Sequence, residues 1–260
     1  MTDESVGGES TRRLGTQDLH VHTNMSDGDL SLEELVGVAN RLGVTIGVAD
    51  HVSSRNRAMF VSDRVRLEAY LDTLDAAPVL RSAELCWCDP FGSEIAESLR
   101  GQCDYLVGSN HGFPLPDGTF ASPWWRELPT PWGERPQELM EVMVRNLCDM
   151  VARMPIDIAA HPTFMPAALL AIEDDVEAWW ISEREDRFIE AALANDVAFE
   201  ISNRYRLPHD RFLRKAREAG ARFSLGSDGH HADQVARLDW AVAAASRAEV
   251  TDRQLFYVER

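Results

Sequence analysis

Residues 17–35 read QDLHVHTNMSDGDLSLEEL and join a short apolar run to the start of a helix. His20 and His22 lie one residue apart at the end of that run, which has the length and composition of a β-strand. Ser31 is typical of a helix N-terminus and Gly43 of a helix end, so a helix is predicted between them. The stretch therefore predicts a strand followed by a helix, with two histidines where the strand ends.

The same alternation of strand and helix recurs along the whole chain. Strands separated by helices imply parallel βαβ units, and seven such units in 260 residues favour a closed (β/α) barrel in a single domain. An open doubly wound sheet is the alternative, although no GxGxxG motif follows the first strand. The predicted strands are TQDLHV (16–21), TIGVAD (45–50), APVLRSAEL (77–85), CDYLVGS (103–109), IDIAAH (156–161), VAFEIS (197–202) and RFSLGS (222–227).

Two segments depart from this rhythm. Residues 1–15 are polar and predict a disordered leader without the apolar core of a secretion signal, so a cytoplasmic location is expected. Residues 112–136 are rich in proline and tryptophan and show neither a helical nor a strand period, which predicts an ordered loop inserted over one end of the barrel. The predicted barrel domain is 16–260.

Residue usage excludes several functions. The net charge of −17 and the absence of a basic stripe argue against a nucleic-acid duplex as partner. No apolar run is long enough to cross a bilayer, so no membrane association is expected. The only lysine, Lys215, lies within an amphipathic pattern, and there is no P-loop and no GxSxG motif. These features disfavour Schiff-base chemistry, P-loop nucleotide chemistry and a serine nucleophile of the α/β-hydrolase type.

The cysteines do not predict a zinc ribbon. Cys86 and Cys88 are spaced C-x-C, and no second pair accompanies them. Reduced, mostly buried thiols are the expectation for all four cysteines.

Polar side chains instead gather where the predicted strands end. In a parallel barrel these ends converge on one rim, where barrel enzymes keep their active sites. Each motif alone could be an exposed or internally paired polar group, but six of the eight histidines share this position. Imidazole and carboxylate suit zinc, manganese and iron, so the combination predicts a metal site. The strand-end residues are His20, His22, Asp27, Asp50, His51, Glu84, His111, His161, Asp228 and His230.

The ordered motifs DLHVHT…SDG, ADH, AEL, GSNHG, AAHP, EISNRYRL and GSDGHH resemble those of the PHP (polymerase and histidinol phosphatase) family between about residues 17 and 248. The resemblance implies a distorted (β/α)7 TIM-like barrel with two to three divalent ions (zinc, manganese or iron) in a trinuclear centre. Matched motif by motif, it implies a first ion bound by His20, His22, Glu84 and Asp228, a second by Glu84, His111 and His161, and a third by Asp27, His51 and His230.

The expected reaction is hydrolysis of a small-molecule phosphomonoester (histidinol phosphate, a nucleotide or a sugar phosphate) by metal-activated water. A hydrolase that attacks an amide or lactone with the same cluster is the alternative. A noncatalytic or proofreading-type module of a polymerase is the third hypothesis, and the complete ligand set and missing basic face argue against it.

Further residues are expected around the substrate. Arg204 and Arg206 offer fork-shaped donors for a phosphoryl group, with Asn203 beside them, and at least one arginine is expected to contact substrate. Asp50 is expected either to orient His51 or to cap its loop. Three tryptophans of the inserted loop either form an apolar wall over the pocket or pack the loop onto the barrel: Trp124, Trp125 and Trp132.

Overall fold

Parallel strands form the centre of the computed structural model, which describes residues 14–118, 120–130 and 132–259. Residues 1–13 of the predicted leader lie outside this described part. The strands are β1 Gln17–Val21, β2 Thr45–Val48, β3 His51–Val52, β4 Leu80–Arg81, β5 Glu84–Cys86, β6 Val107–Ser109, β7 Phe113–Pro114, β8 Phe120–Ala121, β9 Ile158–Ala159, β10 Ala198–Ser202 and β11 Phe223–Gly226.

The seven predicted strand segments follow one another around a closed, distorted barrel. One sheet has the order β1-β2-β4 and the other β11-β10-β9-β6-β5-β3, with parallel pairing throughout. The second predicted strand ends early as β2, and β3 follows it directly in the other sheet, whereas the third predicted strand breaks into β4 and β5, which also join different sheets. The prediction of a single-domain α/β fold of the distorted (β/α)7 TIM-like type is confirmed.

A buried carboxylate closes the barrel between β1 and the segment after β11. The Asp18 side chain accepts hydrogen bonds from the backbone N–H of Ser227 at 2.8 Å and of Ala236 at 2.9 Å. The His22 N–H adds a bond of 3.0 Å to the Gly229 carbonyl. Burial raises the pKa of Asp18 to about 6. These contacts hold the ends of β1 and β11 side by side.

Helices pack outside the strands and begin and end largely where their sequences indicate. Ser31 and Glu34 form a capping box at the start of α1, and Gly43 ends that helix in the left-handed conformation with φ 68°. Pro136 lies in the first turn of α4, where its missing N–H costs nothing. The helices are α1 Leu32–Leu42, α2 Arg64–Asp75, α3 Pro90–Arg100, α4 Pro136–Arg153, α5 Ala167–Leu170, α6 Val176–Trp179, α7 Ser182–Ala194, α8 Asp210–Glu218 and α9 Asp239–Arg247. Three 3-10 turns are Ser54–Asn56, Trp132–Glu134 and Asp252–Gln254.

The proline- and tryptophan-rich segment 112–136 contains more regular structure than its sequence indicates. β7 and β8 pair as a short antiparallel hairpin, so the expectation of no strand period was wrong for these four residues. Trp132 is buried, and its indole N–H donates to Asp117 at 3.2 Å. Trp125 packs half-buried against the main apolar core, whereas Trp124 is 51% exposed. The tryptophans therefore divide between loop packing and the surface.

Within the described ranges, no helix is both long enough and apolar enough to cross a bilayer.

Candidate metal centre

All nine predicted metal ligands meet at the carboxyl ends of the barrel strands. Eight of them, all except Asp228, fall into overlapping groups whose donor atoms lie within 4.8 Å of one another. The groups are His20 with His22 and Glu84; Glu84 with His111 and His161; His22 with Asp27, His51 and His230; and His51 with Cys86 and His111. The first three correspond closely to the three predicted ligand sets, and the fourth brings in a cysteine that the sequence analysis had treated as an ordinary buried thiol.

Glu84 lies at the middle of the cluster with 1% of its surface exposed. Its Oε1 is 3.5 Å from Nε2 of His111 and 3.5 Å from Nε2 of His161. Its Oε2 is 3.7 Å from Nε2 of His20 and 3.8 Å from Nε2 of His22. Oε1 thus faces one pair of histidines and Oε2 another pair, with His51 Nδ1 also 2.6 Å from Oε2; separate sets of histidines on the two oxygens are expected of a carboxylate that bridges two ions.

A second carboxylate serves the outer part of the cluster. Asp27 Oδ1 lies 3.3 Å from Nε2 of His230, and its Oδ2 lies 3.4 Å from Nε2 of His51. Asp228 lies between the two parts, with Oδ1 at 3.3 Å from Nε2 of His22. Asp228 also adopts a positive φ of 48°, a backbone strain that is typical of functional sites.

The unpaired atoms of the cluster fit a metal centre. His20 Nε2, both ring nitrogens of His22, His51 Nδ1 and both oxygens of Glu84 are buried and have no hydrogen-bond partner among the described residues. Each orphaned buried polar atom costs about 1–3 kcal/mol, more for charged groups, unless something satisfies it. Divalent ions would satisfy all of them, and the nitrogen and oxygen donors suit zinc, manganese or iron.

Electrostatics keep the central carboxylate ionised and two histidines neutral, which are the forms that bind metal. Burial opposes ionisation of Glu84, but the positive charge of His51 and His20, whose own pKa values are raised, outweighs it and holds the pKa of Glu84 well below its usual range. Burial lowers the pKa of His22 to about 3. Burial likewise lowers the pKa of His111 to about 3.

Glu200 supports the centre from beneath, and the sequence analysis missed it. It is fully buried on β10, and its Oε1 lies 2.7 Å from Nδ1 of His20. A proton on Nδ1 makes this a hydrogen bond and leaves Nε2 of His20 as the donor toward the cluster. Its other oxygen accepts from the His161 N–H at 2.6 Å. Gly226 is required beside it, because a Cβ there would collide with Glu200 Oε1. An acidic residue in the apolar run VAFEIS was the available signal.

Asp50 caps a loop and does not face substrate. Its carboxylate accepts from the Thr23 N–H at 2.8 Å, from the Thr23 hydroxyl at 2.6 Å and from the Ser26 hydroxyl. These bonds fix the turn that carries Asp27. Burial raises the pKa of Asp50 to about 6. Of the two roles expected for Asp50, orienting His51 or capping its loop, these hydrogen bonds fit the capping one, and Asp50 is not among the described residues that line the pocket.

A pocket of about 360 Å³ opens above the centre. Arg204 and Arg55 both line it, and Arg55 lies over the Phe120 ring at 3.9 Å. One wall is aromatic: Tyr205 lies 6.5 Å from Trp124 and 5.5 Å from the ring of His161, between ring centroids. Tyr205 was also missed, although it stands between the two arginines of EISNRYRL.

Four of the residues expected to contact substrate lie elsewhere. Asn203 accepts from the backbone N–H of Trp240 at 2.9 Å and of Ala241 at 3.2 Å, so it caps the start of α9. Arg206, Trp125 and Trp132 are not among the described residues that line the pocket. Capping occupies Asn203, and packing occupies Trp125 and Trp132; the substrate contacts predicted for these residues and for Arg206 stay predictions. Arg204 and Trp124 keep a place in the pocket wall.

Comparisons with known proteins assign no family to this chain. No family model matches it, and no curated protein matches it. It is similar to the solved structure of a citrate lyase from Burkholderia xenovorans LB400, with 10% identity, a TM-score of 0.41, and coverage of 91% of this chain and 78% of the other. It is also similar to an HpcH/HpaI aldolase from Desulfitobacterium hafniense DCB-2, with 13% identity, a TM-score of 0.39, and coverage of 95% and 96%. At these scores the likenesses transfer no activity to this chain.

These findings correct the family prediction. Membership of the PHP family lacks support from the comparisons, because neither a family model nor a curated protein matches the chain. The phosphomonoesterase activity rested on that family and is corrected with it, as is the alternative of an amide or lactone hydrolase. The ligand cluster does not depend on the family name, because it rests on the distances between the side chains and on their burial.

Proposed function

We propose that this protein is a metal-dependent enzyme that acts on a small anionic molecule in the pocket above the cluster. The observation that carries the proposal is Glu84, a buried carboxylate with no hydrogen-bond donor on either oxygen, surrounded by histidines from other strands. Such an arrangement is costly in a metal-free protein and is accounted for by bound divalent ions. Ions held by these residues would polarise a substrate oxygen and offset negative charge.

Arg204 supports the anionic character of the ligand. Its guanidinium lines the pocket, lies 3.4 Å from Asp228 Oδ1 and keeps 31% of its side chain exposed. It can therefore reach an anion at the pocket mouth while staying next to the cluster. Arg55, whose guanidinium donates to the Trp87 carbonyl at 2.9 Å, adds a second positive charge to the lining. In a chain of net charge −17, two arginines at one mouth favour an anionic ligand there.

The aromatic side chains beside the pocket would help to position the ligand. Trp124, Tyr205 and Phe164 contact one another edge to face or tilted, with centroids 4.9–6.5 Å apart. Trp124 and Tyr205, which line the pocket, can exclude water from one side of the ligand and offer it an apolar surface. Burial raises the pKa of Tyr205 well above its usual range, so its phenol stays protonated and can donate a hydrogen bond.

The proposal is tested by metal content and turnover together. Purified protein is stripped with a chelator, reloaded separately with zinc, manganese or ferrous iron under anaerobic conditions, and assayed for bound metal by mass spectrometry. Each form is then incubated with fractionated anionic metabolites, and consumed and formed masses are compared with those from Glu84→Gln. Metal-dependent turnover that Glu84→Gln lacks supports the proposal. Absence of bound metal overturns it, and metal binding without turnover indicates a noncatalytic metal-binding protein.

A further inference from the structure

We infer that Cys86 is a sulfur donor to the metal centre, which makes one position of the cluster a mixed nitrogen–sulfur site. The inference rests on the proposed function and narrows it to ions that accept thiolate. Cys86 lies at the end of β5, two residues after Glu84, so both side chains leave the strand on the same face. It is 2% exposed and lines the pocket.

Two histidines face this sulfur. Cys86 Sγ lies 3.4 Å from Nδ1 of His111, and His51 offers a nitrogen that completes a group of donors all within 4.8 Å. Two donors on one zinc ion, with bonds of about 2.3 Å to sulfur and about 2.0 Å to nitrogen, stand roughly 3.5 Å apart in tetrahedral geometry. The separation between Cys86 Sγ and His111 Nδ1 is compatible both with two donors to one ion and with an S–H···N hydrogen bond, and Ser109 Oγ also lies 3.1 Å from this nitrogen.

An orphaned nitrogen provides an independent observation. His51 Nδ1 belongs to a side chain that is 9% exposed, and it has no hydrogen-bond partner among the described residues. It lies 2.6 Å from Glu84 Oε2 without the geometry of a hydrogen bond, and that oxygen is unpartnered too. An ion among Cys86, His51 and Glu84 would satisfy both atoms.

The expected step is coordination with loss of a proton. The S–H proton of Cys86 passes to solvent as the bond from sulfur to the ion forms, since thiolate is the ligand form of cysteine. A thiolate favours zinc, iron or cobalt over magnesium and manganese, which prefer oxygen donors. The alternative is that the Cys86 thiol binds no ion and only forms a hydrogen bond with His111.

Cobalt binding distinguishes a Cys86 thiolate that binds the ion from a Cys86 thiol that only donates a hydrogen bond. Chelator-treated full-length protein is titrated with Co²⁺ under anaerobic conditions, and the visible d–d bands and the near-ultraviolet sulfur-to-cobalt band are recorded. The matched variants are Cys86→Ala and Cys148→Ser, the latter changing a half-buried thiol on α4 whose Sγ contacts the Arg187 carbonyl at 3.7 Å. The inference expects the sulfur band in the unaltered protein and in Cys148→Ser, and its loss in Cys86→Ala.

Each other outcome has a defined meaning. Cobalt d–d bands without a sulfur band in the unaltered protein overturn the thiolate ligand and leave the proposed metal enzyme standing. Persistence of the sulfur band in Cys86→Ala also overturns the inference, because another cysteine is then the donor. No cobalt binding at all overturns both proposals. If Cys86→Ala does not fold, X-ray absorption at the zinc edge of the zinc-loaded unaltered protein tests the inference instead. The inference requires a sulfur atom about 2.3 Å from zinc, and its absence overturns the inference.

Discussion

Replacing Glu200 by glutamine should weaken the metal centre without removing any metal ligand. The carboxylate accepts from His20 Nδ1 at 2.7 Å and from the His161 N–H at 2.6 Å, in full burial. Glutamine keeps the shape but has a single accepting oxygen, so one of the two charge-assisted bonds, each worth about 1.5–3 kcal/mol, is lost and the other becomes a neutral bond of about 0.5–1.5 kcal/mol. A free-energy difference of about 1.4 kcal/mol changes Kd tenfold. Mutation of a residue that hydrogen-bonds to a metal ligand typically lowers metal affinity 10–100-fold.

Glu185 provides the matched control for this experiment. It is another buried carboxylate with a histidine partner, 2.7 Å from Nε2 of His209, and it lies away from the cluster. Both variants are stripped of metal and titrated with zinc against a chromophoric chelator, and their unfolding midpoints are measured alongside. We expect a 10–100-fold rise in the zinc Kd for Glu200→Gln and an unchanged Kd for Glu185→Gln. Equal zinc affinity in Glu200→Gln and the unaltered protein would refute the reasoning, as would an equal loss in both variants.

Three further outcomes are expected. Burial opposes ionisation of Glu185, but the His209 ring and the Lys215 and Arg211 cations outweigh it and hold the pKa of Glu185 below its usual value. The ionised carboxylate therefore contributes stability above about pH 4.5, and this contribution is lost as pH falls through the folded-state pKa. The free energy of unfolding, measured with denaturant from pH 6 to pH 3, should fall less steeply for Glu185→Gln than for the unaltered protein. Metal at about 100 times its Kd should raise the melting temperature of the stripped protein by roughly 5–10 °C in calorimetry, and an unchanged midpoint would contradict site formation. Arg204→Ala should weaken binding of an anionic ligand about tenfold or more by calorimetric titration, while Arg206→Ala, outside the pocket lining, should not.

The barrel and the convergence of the candidate ligands could be predicted from the sequence because each strand and each helix is indicated by a local residue pattern. His20 and His22 share a face by strand alternation, and parallel strands bring the other histidines to the same rim. Ser31 and Gly43 placed the first helix for a similar reason, since capping chemistry is decided within a few residues. None of these inferences needed knowledge of distant packing.

The roles that depend on distant contacts were out of reach. Glu200 and His20 are 180 positions apart, and only the closed barrel shows that they touch. Asn203 looked like a substrate contact because it neighbours Arg204, yet α9 uses its side chain as a cap. Trp132 and Trp124 belong to one aperiodic segment, so no pattern could indicate that one is buried and the other lines the pocket.

Metal stoichiometry of the purified full-length protein tests the central claim most directly. With zinc, manganese or ferrous iron in moderate excess, we expect two to three ions per chain, and a loss of at least one ion in Glu84→Gln, whose two oxygens face different sets of histidines. A folded protein that binds none of these ions, or a Glu84→Gln variant that binds as many as the unaltered chain, would contradict the account of the cluster.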